Sequence, residues 1–311
     1  MPEPSREFFA PALMRGRLSP SALALTEVKR QLLGTSEEEL CLALAGTPEQ
    51  DAMTRGGQAS GLNAPAMTEG KSMHGNSQSG READRSSGRK MRLFSAALSM
   101  FGAKVQIAAH EKGIDFELVM VPFTQKEGYA PKHPEVLRIN PKRQVPVLID
   151  GDLEIFDSTQ IFEYLEDFKP KPALWPAAPA ARARARRLEH ESDEVYFPHI
   201  IKLMPLWNKP DDPAGKPARE AAAAFYRTME RALGDREFLA GEYSFADIAF
   251  YMAQLFGARM GADMTNETPN LLQWRQRMTA RPAVIKVVAP MADYLRSDGR
   301  SVPAFLSPIA R

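Results

Sequence analysis

The feature that most constrains this chain is a change of hydrophobic period at a proline-rich stretch. Lys169-Pro170-Lys171-Pro172 is followed by Trp175-Pro176 and Pro179. Upstream, runs of strand period alternate with runs of helical period. Downstream, only the helical period occurs. Such a stretch is a semi-rigid connector, so the sequence predicts two neighbouring units of different class.

In the first unit, Arg92–Ser95 reads as a short strand. Phe101–Lys112 carries Phe101, Val105, Ala108 and Ala109 at helical spacing, and Gly113 supplies a stop. Asp115–Val121 alternates Phe116, Leu118 and Met120, a strand pattern. A loop with Pro122, Gly128, Pro131 and Pro134 follows, with room for a short helix. Val145–Ile149 and Leu153–Phe156 flank Asp150-Gly151, a hairpin turn signal, and Ser158–Phe168 is helical. The second unit reads as helices over Ala180–Leu206, Lys216–Leu233, Phe245–Met260, Pro269–Ala280 and Pro282–Leu295. Ser244 with Asp247 suits an N-cap with a carboxylate at its third position. The expected class is therefore α/β plus all-α. The α/β domain spans 91–169, the linker 170–180, the helical domain 181–297 and a tail 298–311.

Residues 1–90 are of another kind. From Gly46 to Lys90 there are eight glycines, and Leu62 is the single residue drawn from Leu, Ile, Val, Phe, Tyr and Trp. Little apolar burial is available there to offset backbone entropy of about 1–2 kcal/mol per residue, and a disordered N-terminal extension is expected. Ser21–Leu33 and Ser36–Leu44 have amphipathic spacing, and Ser36 with Glu39 matches a capping box. Helices so short are marginal in water by themselves. Met91, directly before the first strand, would make a natural first residue.

Charge and cysteine content narrow the partners. Lys plus Arg is 40 against 39 for Asp plus Glu, a net charge of +1, without the basic surplus of a nucleic-acid binder. No run approaches the roughly 20 apolar residues of a membrane span. Glu3, Glu7 and the lack of a continuous apolar core argue against a secretory leader. Cys41 stands alone, which excludes an internal disulfide, a paired-cysteine redox site and a zinc site of several thiolates. The five histidines show no His-x3-His spacing. A cytoplasmic protein without a metal, nucleic-acid or membrane partner is expected.

Three sites carry potential chemistry. In Asn140-Pro141-Lys142-Arg143-Gln144-Val145-Pro146-Val147-Leu148, a proline at the start of a strand cannot donate to the sheet. A cis Val145-Pro146 bond would turn the Val145 main chain outward, where an extended peptide could pair with it. Ten residues beyond that proline, Phe156-Asp157-Ser158-Thr159 marks a strand-to-helix junction. Ser158 and free helix N–H groups there could hold a carboxylate, and Asp157 could accept from an amino group. Ser99, between the first strand and first helix, could donate to a thiolate. Each has a plainer account, as a trans edge proline or a simple N-cap.

The order and spacing of these elements resemble the cytosolic glutathione transferase superfamily over residues 91–297. Asn140-Pro141 through Val145-Pro146-Val147-Leu148 resembles the family's Asn-Pro-x-Gly-x-Val-Pro-x-Leu run. Asp157-Ser158 resembles its acidic-Ser pair, and Ser99-Met100-Phe101 through Val105 resembles the Ser-Pro-Phe-x-x-x-Val start of serine-type (theta-like, tau-like or bacterial) members. Tyr243-Ser244-Phe245-Ala246-Asp247 resembles the Ser-x-Ala-Asp box that opens the buried helix.

The resemblance implies a thioredoxin-like domain followed by an all-helical one. It implies glutathione as co-substrate, pinned by Val145, Pro146, Asp157 and Ser158, with Gln144 or Lys142 near its glycine end. Ser99 would stabilise the thiolate, and Tyr196, Met204 and Trp207 would line the pocket for a small electrophile, with core packing as the plainer account of each. A homodimer is implied as well.

The departures are Arg143 at the usual glycine, Met100 at the usual proline and Ala103 at the usual arginine. Tyrosine-type and cysteine-type members are disfavoured, since neither residue occurs near the first strand. Ser95 is the fallback hydroxyl. A glutathione-dependent isomerase, dehalogenase or peroxidase, or a non-catalytic binding module on this fold, remain the alternatives. Arg182, Arg184, Arg186 and Arg187 read as a solvated helix face.

Overall fold

The computed structural model describes residues 90–122 and 132–307. The expected N-terminal extension, its two amphipathic segments and part of the loop after Pro122 lie outside the described residues. The first domain contains β1 (Arg92–Ser95), α1 (Met100–Glu111), β2 (Glu117–Met120), α2 (Pro134–Ile139), β3 (Val147–Asp150), β4 (Leu153–Phe156) and α3 (Ser158–Phe168). Its sheet has the order β2-β1-β3-β4. β1 and β2 are parallel, while β3 runs antiparallel to both β1 and β4. This is the thioredoxin-like arrangement expected. Leu93, Leu148, Val105 and Ile161 pack on one side of the sheet under α1 and α3, and Phe94, Val136 and Val147 on the other under α2.

β2 is shorter than its pattern suggested. It is an edge strand, and its Leu118 and Met120 side chains are exposed. α1 is instead buried nearly all round, Lys104 and Gln106 included, because it lies between the sheet and the second domain. Gly102 permits that closeness: a Cβ there would stand 2.0 Å from Ser95 Oγ.

The second domain holds α4 (Pro179–His190), a π-helical turn (Glu191–Tyr196), α5 (Phe197–Ile201), α6 (Lys216–Leu233), α7 (Phe245–Arg259), α8 (Pro269–Thr279) and α9 (Pro282–Ser297). The single long helix expected over 180–206 is thus divided. Pro198 has no N–H to offer the carbonyl one turn earlier, and the wider turn lies immediately before it. After Ile201 the chain leaves the helix through a 3-10 turn at Met204–Leu206.

The two domains share one core. Phe162 of α3 stacks on Phe245 of α7 with centroids 3.7 Å apart, and Trp175 of the linker meets both edge-on. The linker is fixed by Glu166, whose carboxylate accepts from the Leu174 and Trp175 N–H groups. α7 begins as the sequence predicts, with Ser244 and Asp247 forming a capping box. Asp247 also accepts from Leu239 N–H and Trp274 Nε1, each at 2.9 Å. Burial pushes the Asp247 carboxyl up to about 6, against these hydrogen bonds.

Replacing Asp247 by Ala strands several buried donors at about 1–3 kcal/mol each. A loss of about 3 kcal/mol or more, and a fall in Tm of about 6–12 °C, is expected by calorimetry. The unfolded carboxyl loses its proton at lower pH than the folded one. This group's contribution therefore weakens as pH rises from about 4 to about 6, and Asp247→Asn removes that component of the slope.

Candidate active site

Two adjoining cavities lie where the first domain meets α4 and the π-helical turn. The first, about 310 Å³, is lined from the α/β side by Lys142, Gln144, Val145, Pro146, Asp157 and Ser158. Glu189, His190, Asp193 and Glu194 face them from the helical side. The second, about 500 Å³, is lined by Ser99, Phe101, Phe197, Ile201, Met204, Phe256 and Met260 among others. Phe101, Lys142, Gln144, Val145, Asp193 and Glu194 line both cavities and form their common wall.

Local chemistry explains each position. The Val145-Pro146 bond is cis. Among the described residues, neither the N–H nor the C=O of Val145 has a hydrogen-bond partner. Asn140 shapes the preceding loop, donating from Nδ2 to Gln144 O at 2.6 Å and accepting from Lys142 N–H at 2.9 Å. Arg143, at the position where the family pattern has glycine, adopts φ 56°, the left-handed conformation glycine enters freely.

Asp157 is the N-cap of α3 at φ 77°, and its Oδ1 accepts from Thr159 N–H at 3.0 Å and Gln160 N–H at 3.3 Å. This corrects the expectation that the N–H groups following Ser158 are free. The donors left at that helix end are the N–H and hydroxyl of Ser158, and Asp157 retains Oδ2.

Ser99 caps α1, its Oγ accepting from Gly102 N–H at 3.0 Å. The hydroxyl proton remains available to donate. Ser95, the fallback, is fully buried, accepts from Gln106 Nε2 at 3.0 Å and lines neither cavity.

Of the three residues expected to line an electrophile pocket, Met204 alone lines the second cavity. Tyr196 turns into the core, where its hydroxyl hydrogen-bonds that of Tyr226, which donates to Ala262 O at 2.8 Å. Gly257 makes the room: a Cβ there would be 1.9 Å from the Tyr196 hydroxyl. Trp207, beyond the 3-10 turn, lies outside both cavities, with the Arg300 guanidinium 4.6 Å over its ring. The Arg182, Arg184, Arg186 and Arg187 face is exposed, and Arg186 and Arg187 pair with Glu163 and Glu191 at its surface.

Sequence reasoning missed the charged group beneath the common wall. Lys104 of α1 is fully buried, with Nζ 2.8 Å from Glu189 Oε1 and also bonded to Asp193 Oδ2. The same Glu189 Oε1 accepts from Thr159 Oγ1 at 2.6 Å. Burial alone would draw the Lys104 ammonium downward, but the two carboxylates outweigh it and its pKa is raised. Burial drives the Asp193 carboxyl upward, against the pull of Lys104. A lysine within an apolar helix, and acids four apart at 189 and 193, were the available signals. Among the described residues, no group of three or more His, Cys, Asp and Glu is arranged to hold a metal ion. Among the same residues, no helix is long and apolar enough to cross a membrane.

The molecule is thus a thioredoxin-like domain joined to an all-helical one, with a cleft at a cis-proline edge. Comparison with known proteins agrees. Residues 93–173 match the model of the glutathione S-transferase N-terminal domain, and residues 189–282 that of the C-terminal domain. The chain belongs to the glutathione S-transferase family. It is 32% identical over 199 residues to a probable glutathione S-transferase, parC, of Nicotiana tabacum, covering 60% of this chain and 84% of that protein. It is also 32% identical over 171 residues to a stringent starvation protein A homolog of Haemophilus ducreyi, covering 53% and 72%. The crystal structure of rice GST1 in complex with glutathione superposes with a TM-score of 0.57 at 27% identity, covering 68% of this chain and 97% of that one.

Lys104→Met leaves two buried carboxylates without their cation, a change that costs about 3–5 kcal/mol. A denaturant midpoint well below wild type is expected at neutral pH. Part of it returns toward pH 4, where the folded chain binds protons that the unfolded chain has begun to lose.

Proposed function

We propose that the protein conjugates glutathione to electrophilic substrates, with Ser99 donating a hydrogen bond to the thiolate. The observation that carries this reading is the contiguity of the cavities. One offers the partnerless Val145 main chain, Asp157 and Ser158. The other offers Ser99 within an apolar chamber. Their common wall is where a tripeptide would span them.

In this reading, the γ-glutamyl carboxylate takes the Ser158 N–H and hydroxyl at the positive end of α3. Its ammonium meets Asp157. The cysteinyl main chain pairs with Val145 beside Pro146, as an added strand would. Lys142 and Gln144 receive the glycyl carboxylate. The sulfur then faces Ser99, and the electrophile lies against Phe101, Phe197, Met204, Phe256 and Met260. Glutathione is the co-substrate, no metal takes part, and the working form is a cytoplasmic homodimer, the common assembly of the family. Neither nucleic acid nor membrane is a partner in this reading.

A second reading is a member that keeps the fold and binds without catalysis. It is favoured by the likeness to a relative, the stringent starvation protein A homolog, whose name states no transferase activity, and by Met100 and Ala103 beside Ser99. Retention on immobilised glutathione without conjugation of any electrophile would support it. A panel including peroxides, haloalkanes and isomerisable enones separates general conjugation from a specialised glutathione reaction.

The ordinary thiol pKa is about 8.5. Titration of thiolate absorbance in the bound complex is expected to give a value at least about one unit lower. Ser99→Ala removes a charge-assisted hydrogen bond of about 1.5–3 kcal/mol. The bound thiol should then titrate about one to two units higher, and kcat should fall about tenfold or more with little change in KM for glutathione. An unchanged titration in Ser99→Ala would exclude the serine role.

A further inference from the structure

We propose that Asp193 accepts the proton of the glutathione thiol and keeps it as a neutral acid hydrogen-bonded to the thiolate. The proposal rests on the glutathione reading above. Asp193 lies in the π-helical turn, on the wall common to both cavities, which Val145 also lines. A tripeptide held at its amino end by Asp157 and Ser158, with its sulfur at Ser99, has its cysteinyl residue at that wall.

The carboxylate is half engaged. Lys104 Nζ holds Oδ2, while Oδ1 is buried without a hydrogen-bond partner. The side chain is 9% exposed, so water contributes little. An ionised oxygen in that position calls for a donor, and the thiol S–H is the donor that the docked peptide would bring to this wall. Ser99 cannot fill this role, because a hydroxyl donates to a thiolate without removing its proton.

The charged groups facing Asp193 suit a proton acceptor. Lys104 from α1 keeps it ionised in the resting protein. Glu189 from α4 and Glu194 from the same turn oppose that charge, and a thiolate adds to the opposition once it forms. Lys142 lines the same wall from the α/β side.

The step balances. The S–H bond breaks, its electron pair stays on sulfur, and the proton forms an O–H bond on Asp193. The sulfur pair then forms the C–S bond as the leaving group departs with its own pair. The proton follows to the departing anion, which restores the carboxylate.

The test compares two signals in weakly buffered solution near neutral pH as glutathione is added to the full-length protein. One is thiolate absorbance, and the other is proton release read by an indicator dye. Both are corrected with S-methylglutathione, which has no thiol proton. The wild type is expected to release far fewer than one proton per thiolate formed. Asp193→Asn is expected to release one, with the bound thiol titrating about one unit higher, equivalent to about tenfold less thiolate below its pKa. Asp193→Glu is expected to restore the deficit in part.

One proton released per thiolate in the wild type overturns the proposal while leaving the transferase reading intact. Because that measurement needs no variant, a misfolded Asp193→Asn does not weaken it. If Asp193 served only to hold the γ-glutamyl ammonium, Asp193→Asn would raise KM with an unchanged proton count, and the proposal would fail. Absence of any glutathione binding overturns both readings.

Discussion

A fully buried ammonium sets the terms for this molecule. Lys104 sits in a helix packed against both domains, and its charge has no route to water. Taking such a group out of solvent costs several kcal/mol unless opposite charges meet it with good geometry. Glu189 and Asp193 supply those charges from the other domain, and the rings of Phe101 and Phe245 lie within 5.5 Å of Nζ. The domains can therefore adopt few relative positions without stranding a charge. The stacked Phe162 and Phe245 rings, with Trp175 edge-on to both, add apolar burial to the same constraint. The ion pairs of Lys104 thus hold α1 against α4 and the π-helical turn beside the cleft.

The cleft divides its work by chemistry. The side toward α3 offers a helix terminus, exposed main chain and short polar side chains, which suit a peptide of fixed structure. The side toward α5 and the end of α7 offers Phe, Ile and Met surfaces, which suit apolar bodies of many shapes. Arg259 gives that side a polar boundary, with its guanidinium 4.7 Å above the Phe256 ring. One cavity therefore offers directional contacts and the other mainly shape.

Much of the fold was legible because its signals are local. The hairpin at Asp150-Gly151, the Ser244–Asp247 box and the change of period at the linker each depend on neighbours in sequence. The positions of Asp157 and Ser158 at a strand-to-helix junction, and of Val145 and Pro146 before a strand, were legible for the same reason. Tyr196 takes the plainer of its two accounts, core packing: it ends a π-helical turn, where side-chain direction no longer follows the 3.6-residue period. Trp207 was misread because the helix expected to reach Leu206 leaves its axis five residues earlier, at Ile201. Lys104 went unread because its partners lie 85 and 89 residues away. A lysine in an apolar helix states a need without naming who meets it.

One oxygen atom has a wider consequence. Glu189 Oε1 accepts from Lys104 beneath the cleft and from Thr159 at the start of α3. Thr159 adjoins Ser158, which lines the first cavity at the same helix end. The first turn of α3 and the ammonium beneath the cleft therefore share one acceptor. Loss of that one carboxylate would release two first-domain contacts at once, while the aromatic core of Phe162, Phe245 and Trp175 still joins the domains.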